Sequence, residues 1–127
     1  MASVRLIYKL ALAQIFESPG GDEDFETYSP LVINTLLEEA LPFENMIRRS
    51  DGRPLLMELP EITMIDDTNI DMDGRICKIA LPYGLASVLL ADDESRKAES
   101  ILKRNMFIEA LESAAPAVFA DVRGWDD

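Results

Sequence analysis

The sequence has no histidine among its 127 residues and a single cysteine, Cys77. Without histidine the chain lacks the commonest general base and the commonest zinc ligand. A Ser–His relay is impossible, so Ser29, Ser87 and Ser95 have no partner for nucleophilic catalysis of that kind. One cysteine excludes an internal disulfide and any multi-cysteine zinc or iron–sulfur site. Bases are scarce: 12 Lys and Arg stand against 24 acids, for a formal charge of −12. That balance argues against wrapping nucleic acid, whose phosphates are held by clustered cations. Long apolar runs are missing too. The stretch Ile79–Ala91 is uncharged but holds Pro82 and Gly84, and falls short of the roughly 18 to 20 residues of a membrane span. At the N-terminus Lys9 interrupts the apolar residues early, so no secretory peptide is expected. The expectation is a soluble, reduced, intracellular chain with no membrane association, in which Cys77 is a packed, inert thiol.

What is present suits one small domain: 48% of the residues are apolar, enough for a single core. Val4–Glu17 reads as a helix, apolar over most of its circumference, which suggests cover from both its own core and a neighbouring subunit. Ser18-Pro19-Gly20-Gly21 breaks it. Ser29-Pro30 reads as a helix start, with serine as the cap and proline at the first helical position. That helix is expected to kink at Pro42 and continue from Phe43 to Arg49, before a turn at Ser50-Asp51-Gly52. Residues 53–65 lose helical period; Leu55, Met57 and Leu59 alternate, and two short strands around Pro60-Glu61 are expected, a hairpin-like insert. Asp66–Gly74 is an acidic connector. Helical signal returns at Arg75, with a kink near Leu81 because of Pro82. Asp92 or Asp93 caps a last helix over about Ser95–Ser113, with Ala98, Ile101, Leu102, Met106, Ile108 and Leu111 as its apolar positions. The fold expectation is therefore a mainly α bundle of about four helices. Its domain is 1–114, with the short β-like insert, and residues 115–127 form an extended C-terminal tail.

Candidate sites are few. Asp67, Asn69 and Asp71 match the first three alternating oxygen ligands of a calcium loop. Met72 then stands where a sharp turn wants glycine, and Lys78 where a closing carboxylate is needed, so a solvated acidic loop is the better reading and no metal site is expected. Paired acids at Asp22/Asp24, Glu38/Glu39, Asp66/Asp67 and Asp92/Asp93 lie mostly at turns or caps, where they do not face each other for acid–base work. Gly20-Gly21 lacks phosphate-loop spacing. No catalytic, cofactor-binding or metal residue is nominated. In the tail, Phe119, Val122 and Trp125 recur every three residues beyond Pro116. They suit either a strap packed on the domain or an aromatic anchor inserted into a partner. Charge is segregated: Leu10–Ile47 holds eight acids and no base, Pro54–Gly74 six acids and no base, while bases gather at 48–53 and 96–104.

Leu81-Pro82-Tyr83-Gly84-Leu85-Ala86-Ser87-Val88-Leu89-Leu90, followed by Asp92-Asp93, Lys97-Ala98 and a final amphipathic helix, resembles the head-to-tail adaptors of tailed bacteriophages, also called connector or head-completion proteins. Tyr28-Ser29-Pro30-Leu31-Val32-Ile33-Asn34-Thr35-Leu36-Leu37-Glu38-Glu39 fits the same pattern, and the resemblance spans roughly residues 24 to 113. It implies a small helical bundle that assembles as a ring, commonly of twelve copies, beneath the portal protein. Such a ring sits in the virion neck, extends the DNA channel without binding DNA specifically, and offers a docking surface to tail or neck proteins. It implies no enzymatic activity and no cofactor. Carried over, residues 115–127 form a portal-facing arm, with Phe119, Val122 and Trp125 in contact. Other readings are a different neck or tail-completion protein, an acidic intracellular regulator that binds a basic partner or mimics DNA, and, third, an enzyme without a nominated nucleophile.

Overall fold

The computed structural model describes residues 1–17 and 23–115. Ala115, the first residue of the predicted tail, is buried, while residues 116–127, with Phe119, Val122 and Trp125, lie outside the described residues. The described residues are mainly α, with four helices and one two-stranded antiparallel sheet. The helices are α1 (Val4–Gln14), α2 (Glu23–Ser50), α3 (Leu81–Leu90) and α4 (Lys97–Ala114). The strands, β1 (Ala2–Ser3) and β2 (Asn69–Ile70), pair Ala2 with Ile70 and Ser3 with Asn69.

The most apolar helix, α3, is central and packs against the other three. Leu81, Leu85, Ala86 and Leu90 are buried there among Ile7 of α1, Leu36 of α2 and Phe107 of α4. Gly84 sets the spacing: a Cβ at this position would lie 2.9 Å from both Leu36 Cδ2 and Phe107 Cδ1. The absent side chain lets three helices meet closely. Hydroxyls add to the seam, since Ser100 donates to the Ser87 carbonyl at 2.6 Å and Ser87 to that of Gly84 at 2.7 Å.

The expected disturbance near Leu81 is present as a π-helical turn, Ile76–Ala80, leading into α3. Pro82 has no N–H for the carbonyl four residues back, and the Leu81 N–H bonds instead to Ile76 five residues back. Asp93 makes the cap foreseen before the last helix, accepting from the Ser95 N–H at 3.0 Å and the Ser95 hydroxyl at 2.6 Å. A 3-10 turn, Glu94–Arg96, then leads into α4.

Three local expectations are corrected. Ser29-Pro30 is not a helix start: α2 is already helical from Glu23, and Pro30 and Pro42 both lie inside it. Ser29 is buried and donates its hydroxyl to the Phe25 carbonyl, one turn back, instead of capping free amides. Burial of the α2 inner face outweighs the hydrogen bond each proline forfeits. The first helix stops at Gln14, three residues before the expected Glu17. Its end is a Schellman closure: Glu17 N–H donates to the Leu12 carbonyl at 2.9 Å and Phe16 N–H to that of Ala13 at 3.3 Å. Phe16 takes the left-handed position with φ 61°, although glycine is the usual occupant.

Residues 53–65 are the third correction, because they form one extended strap, not two strands. The residues facing inward are Leu56, Leu59, Ile62 and Ile65, a repeat of three. Three residues per turn is the polyproline II period, a conformation with no internal hydrogen bonds. Pro54 and Pro60 favour it, and alternation of Leu55, Met57 and Leu59 misleads because only Leu59 of these packs inward. The β pairing is made instead by β1 and β2.

Candidate functional site

Two asparagines on α2 hold the strap. Asn34 accepts from the Ile62 N–H and donates to the Ile62 carbonyl, both at 2.8 Å. Asn45 does the same with Leu56, at 2.7 and 3.2 Å. Each side-chain amide thus pairs with a peptide unit as a neighbouring strand would. The two anchors are eleven residues apart on α2, about 16.5 Å at 1.5 Å per residue. The six strap residues between them span about 18.6 Å at the polyproline II rise. The close match means that the strap runs nearly straight along α2, antiparallel to it.

The far end of the strap is tied to a buried ion pair. Glu44 is fully buried on α2, and Arg48 Nε donates to it at 2.6 Å. Its other oxygen accepts from the Asp73 N–H at 2.7 Å. Arg48 also donates to the Asp71 carbonyl at 2.9 Å and the Pro54 carbonyl at 3.4 Å. The hydrogen bond to Glu44, with the nearby charge of Asp71, holds the Arg48 guanidinium above its usual pKa range. A buried carboxylate with this many donors is structurally satisfied and joins α2 to both ends of the connecting segment. Sequence reading passed over Glu44; its signal is the Glu44–Arg48 spacing of four residues within an apolar stretch.

The calcium-like residues do not converge. Asp67 pairs with Arg5 at 2.9 Å, Asn69 lies in β2, and Asp71 faces Arg48 at 3.4 Å. The connector caps α1 instead: the Val4 and Arg5 N–H groups donate to the Thr68 and Asp66 carbonyls, both at 2.9 Å, and Leu6 N–H to Ser3 Oγ at 3.1 Å. Among the described residues no group of three or more His, Cys, Asp or Glu could hold a metal ion. Cys77 is fully buried, and burial pushes its thiol pKa up, away from a reactive thiolate. Of the paired acids, Glu39 is bound by Arg104 at 2.6 Å and Asp93 is a cap, while Asp22 lies outside the described residues. No described helix is long and apolar enough to cross a membrane. Comparison of the chain with protein-family models, curated proteins and solved structures finds no match.

What remains is surface. The strap shows Met57, 81% exposed, and Met64, 59% exposed. On α4, Ile101 is 60% and Leu102 55% exposed, although both belong to the apolar set that the sequence assigns to this helix. The large buried residue there is Phe107, which the sequence reading left out. These two surfaces are on different flanks of α2. Asn34 faces the strap and Glu39 faces α4, and five residues at 100° each place them about 140° apart around the helix. A separate apolar groove of about 350 Å³ is lined by Phe25, Tyr28, Val32, Val88 and Leu89, with Asp92 at its rim.

Proposed function

We propose that this chain is a structural component of a tailed-phage neck, a subunit of a ring that joins the portal protein to tail or neck proteins and continues the DNA channel. The observation that carries the reading is the pair of unlike apolar surfaces on different flanks of α2, the strap and the exposed face of α4. A closed ring repeats one heterologous contact, so each subunit needs two different, complementary faces. Exposed apolar side chains gathered on such faces mark association sites more often than bare solvent surface. The resemblance of Leu81–Leu90 and Tyr28–Glu39 to head-to-tail adaptors supports the same reading. A charge of −12 fits a wall past which DNA slides, since it offers phosphates no ladder of cations.

An acidic regulator that mimics DNA is the less favoured reading, because many connector acids are engaged internally: Asp67 with Arg5, Asp71 with Arg48 and Asp73 with Arg75. Negative-stain imaging of the protein mixed with portal particles tests the proposal. Added ring-shaped density at the portal mouth is expected. A chain that stays monomeric and ignores portal particles would overturn it.

A further inference from the structure

The six acids of the base-free stretch 54–74 divide into two kinds. Asp66 accepts from the Thr68 N–H, Asp67 pairs with Arg5, Asp71 with Arg48 and Asp73 with Arg75. Glu58 and Glu61 are exposed and make no ion pair among the described residues. They are three residues apart and alternate with the inward-facing Leu56, Leu59 and Ile62, so they share the outward side of the strap with the exposed Leu55. Their separation along the strap is about 9 Å.

Outer α4 carries the complementary pattern. Lys97, Ile101, Arg104 and Ile108 recur at intervals of four, three and four, so they form one stripe. Lys97 is 63% exposed and pairs at 3.7 Å with Glu94, itself 88% exposed, while Ile101 and Ile108 are exposed. Lys97 and Arg104 are seven residues apart, about 10.5 Å. Arg104 binds Glu39 through one terminal nitrogen, and a guanidinium has five donors to share. The exposed cations of α1, Arg5 and Lys9, flank only Leu6, whereas α4 exposes Ile101, Leu102 and Ile108 beside its cations. We infer that the strap column of one copy docks on the α4 stripe of a second copy, head to tail, with Glu58 and Glu61 against Lys97 and Arg104 and apolar contacts around Ile101. This deepens the ring reading above, on which it rests for its choice of a second copy as occupant.

Charge reversal on each face tests it, read by sedimentation velocity over a concentration series at low and high salt. The strap variant is Glu58→Lys with Glu61→Lys, and the α4 variant is Lys97→Glu with Arg104→Glu. Because Arg104 has an internal partner, Ile101→Gln serves as a second α4 variant, with thermal melting as the check on folding. Each reversal alone should weaken association by at least about tenfold. An equimolar mixture of the two reversed proteins should associate again, since both junctions regain opposite charges. Ile101→Gln should also weaken association, and high salt should weaken the wild type. Association that survives both reversals, or that mixing fails to restore, overturns the strap-to-α4 contact while leaving the ring reading in place. If the wild type is monomeric alone and forms rings only on portal particles, the same variants are scored there, with the same loss and rescue expected. A wild-type chain that self-associates neither alone nor on portal particles overturns both.

Discussion

Replacing Asn34 by alanine tests whether the strap is held as described. The substitution leaves the Ile62 N–H and carbonyl without their partners at 2.8 Å. Ile62 is 3% exposed, so water reaches these groups poorly while the strap stays in place. A buried polar group stripped of its partner costs about 1–3 kcal/mol, which for two groups gives about 2–6 kcal/mol. Release of the strap offers an escape from that cost, but it exposes Ile62 and Leu59, at about 1.5–3 kcal/mol for each fully buried side chain. Leu59 is only half-buried, so release is the cheaper route and limits the loss to about 2–4 kcal/mol. Asn45→Ala should cost less, about 1–2 kcal/mol, because Leu56 is only half-buried and water can replace the lost bonds.

Urea denaturation measures both variants; at an m-value of about 2 kcal/mol/M, 3 kcal/mol lowers the midpoint by about 1.5 M. The double variant separates the routes. Sites this far apart normally add within about 0.5 kcal/mol. A strap already detached by one substitution has nothing left to lose at the other, so the double variant would then fall well short of the sum. Asn34→Asp is a useful comparison: it can still accept from the Ile62 N–H but sets a second carboxylate oxygen against the Ile62 carbonyl, and should cost at least as much as alanine. A cost below about 0.5 kcal/mol for Asn34→Ala, with unchanged hydrogen exchange at Ile62, would refute the clamp.

Three further outcomes follow from packing and charge. Gly84→Ala gains up to about 1 kcal/mol of helix propensity but forces the 2.9 Å contacts with Leu36 and Phe107, both buried. Overpacking of about 1–3 kcal/mol should win, so thermal unfolding should show a net loss. Phe16→Gly relieves the left-handed strain of a side chain that is 91% exposed, and should raise stability by about 0.5–1 kcal/mol in the same assay. Acid should destabilise the fold. Asp73 is held below its ordinary 3.8 by the Arg75 hydrogen bond, and Glu99 below its ordinary 4.5 by that of Arg96. A depressed carboxylate stabilises fully above its unfolded pKa, and that contribution fades as pH falls through the lower folded value. Stability should therefore drop below about pH 4, and Asp73→Asn should flatten that part of the pH profile.

The helical class was legible because α3 announces itself: a long uncharged stretch is either a membrane span or a buried helix, and its proline and glycine favour the latter. The Asp93 cap and the disturbance before Pro82 were legible for the same local reasons, a side chain that can accept from nearby amides and a missing N–H. Ser29-Pro30 misled because capping chemistry is local while the choice made here is tertiary. Upstream, Phe25 packs on the core and buried Ser29 bonds its carbonyl, and these contacts extend the helix through the proline. The strap misled through its period. Leu55, Met57 and Leu59 satisfy a repeat of two, Leu56, Leu59 and Ile62 a repeat of three, and only contact with α2 decides between them. Its anchors were invisible for a similar reason, since Asn34 and Asn45 are ordinary polar residues until a peptide unit is placed opposite each. Phe107 was missed because four bases precede it within twelve residues, which made its face of α4 look outward.

The same distinction between local and tertiary use sharpens the meaning of the acidic charge. A count of −12 treats all acids alike. The structure sorts them: those of the connector position backbone amides and arginines, and Glu44 anchors the segment from inside. Those paired with arginines present a weaker net field to a distant partner than the bare count suggests. Glu58 and Glu61 carry no such duty, and their mutual repulsion is a small cost that the fold tolerates at a surface. Two uncommitted like charges on one column, flanked by exposed apolar residues, have more reason to exist for a partner than for the domain. On that ground the proposed contact rests on the strap and not on the bulk negative charge.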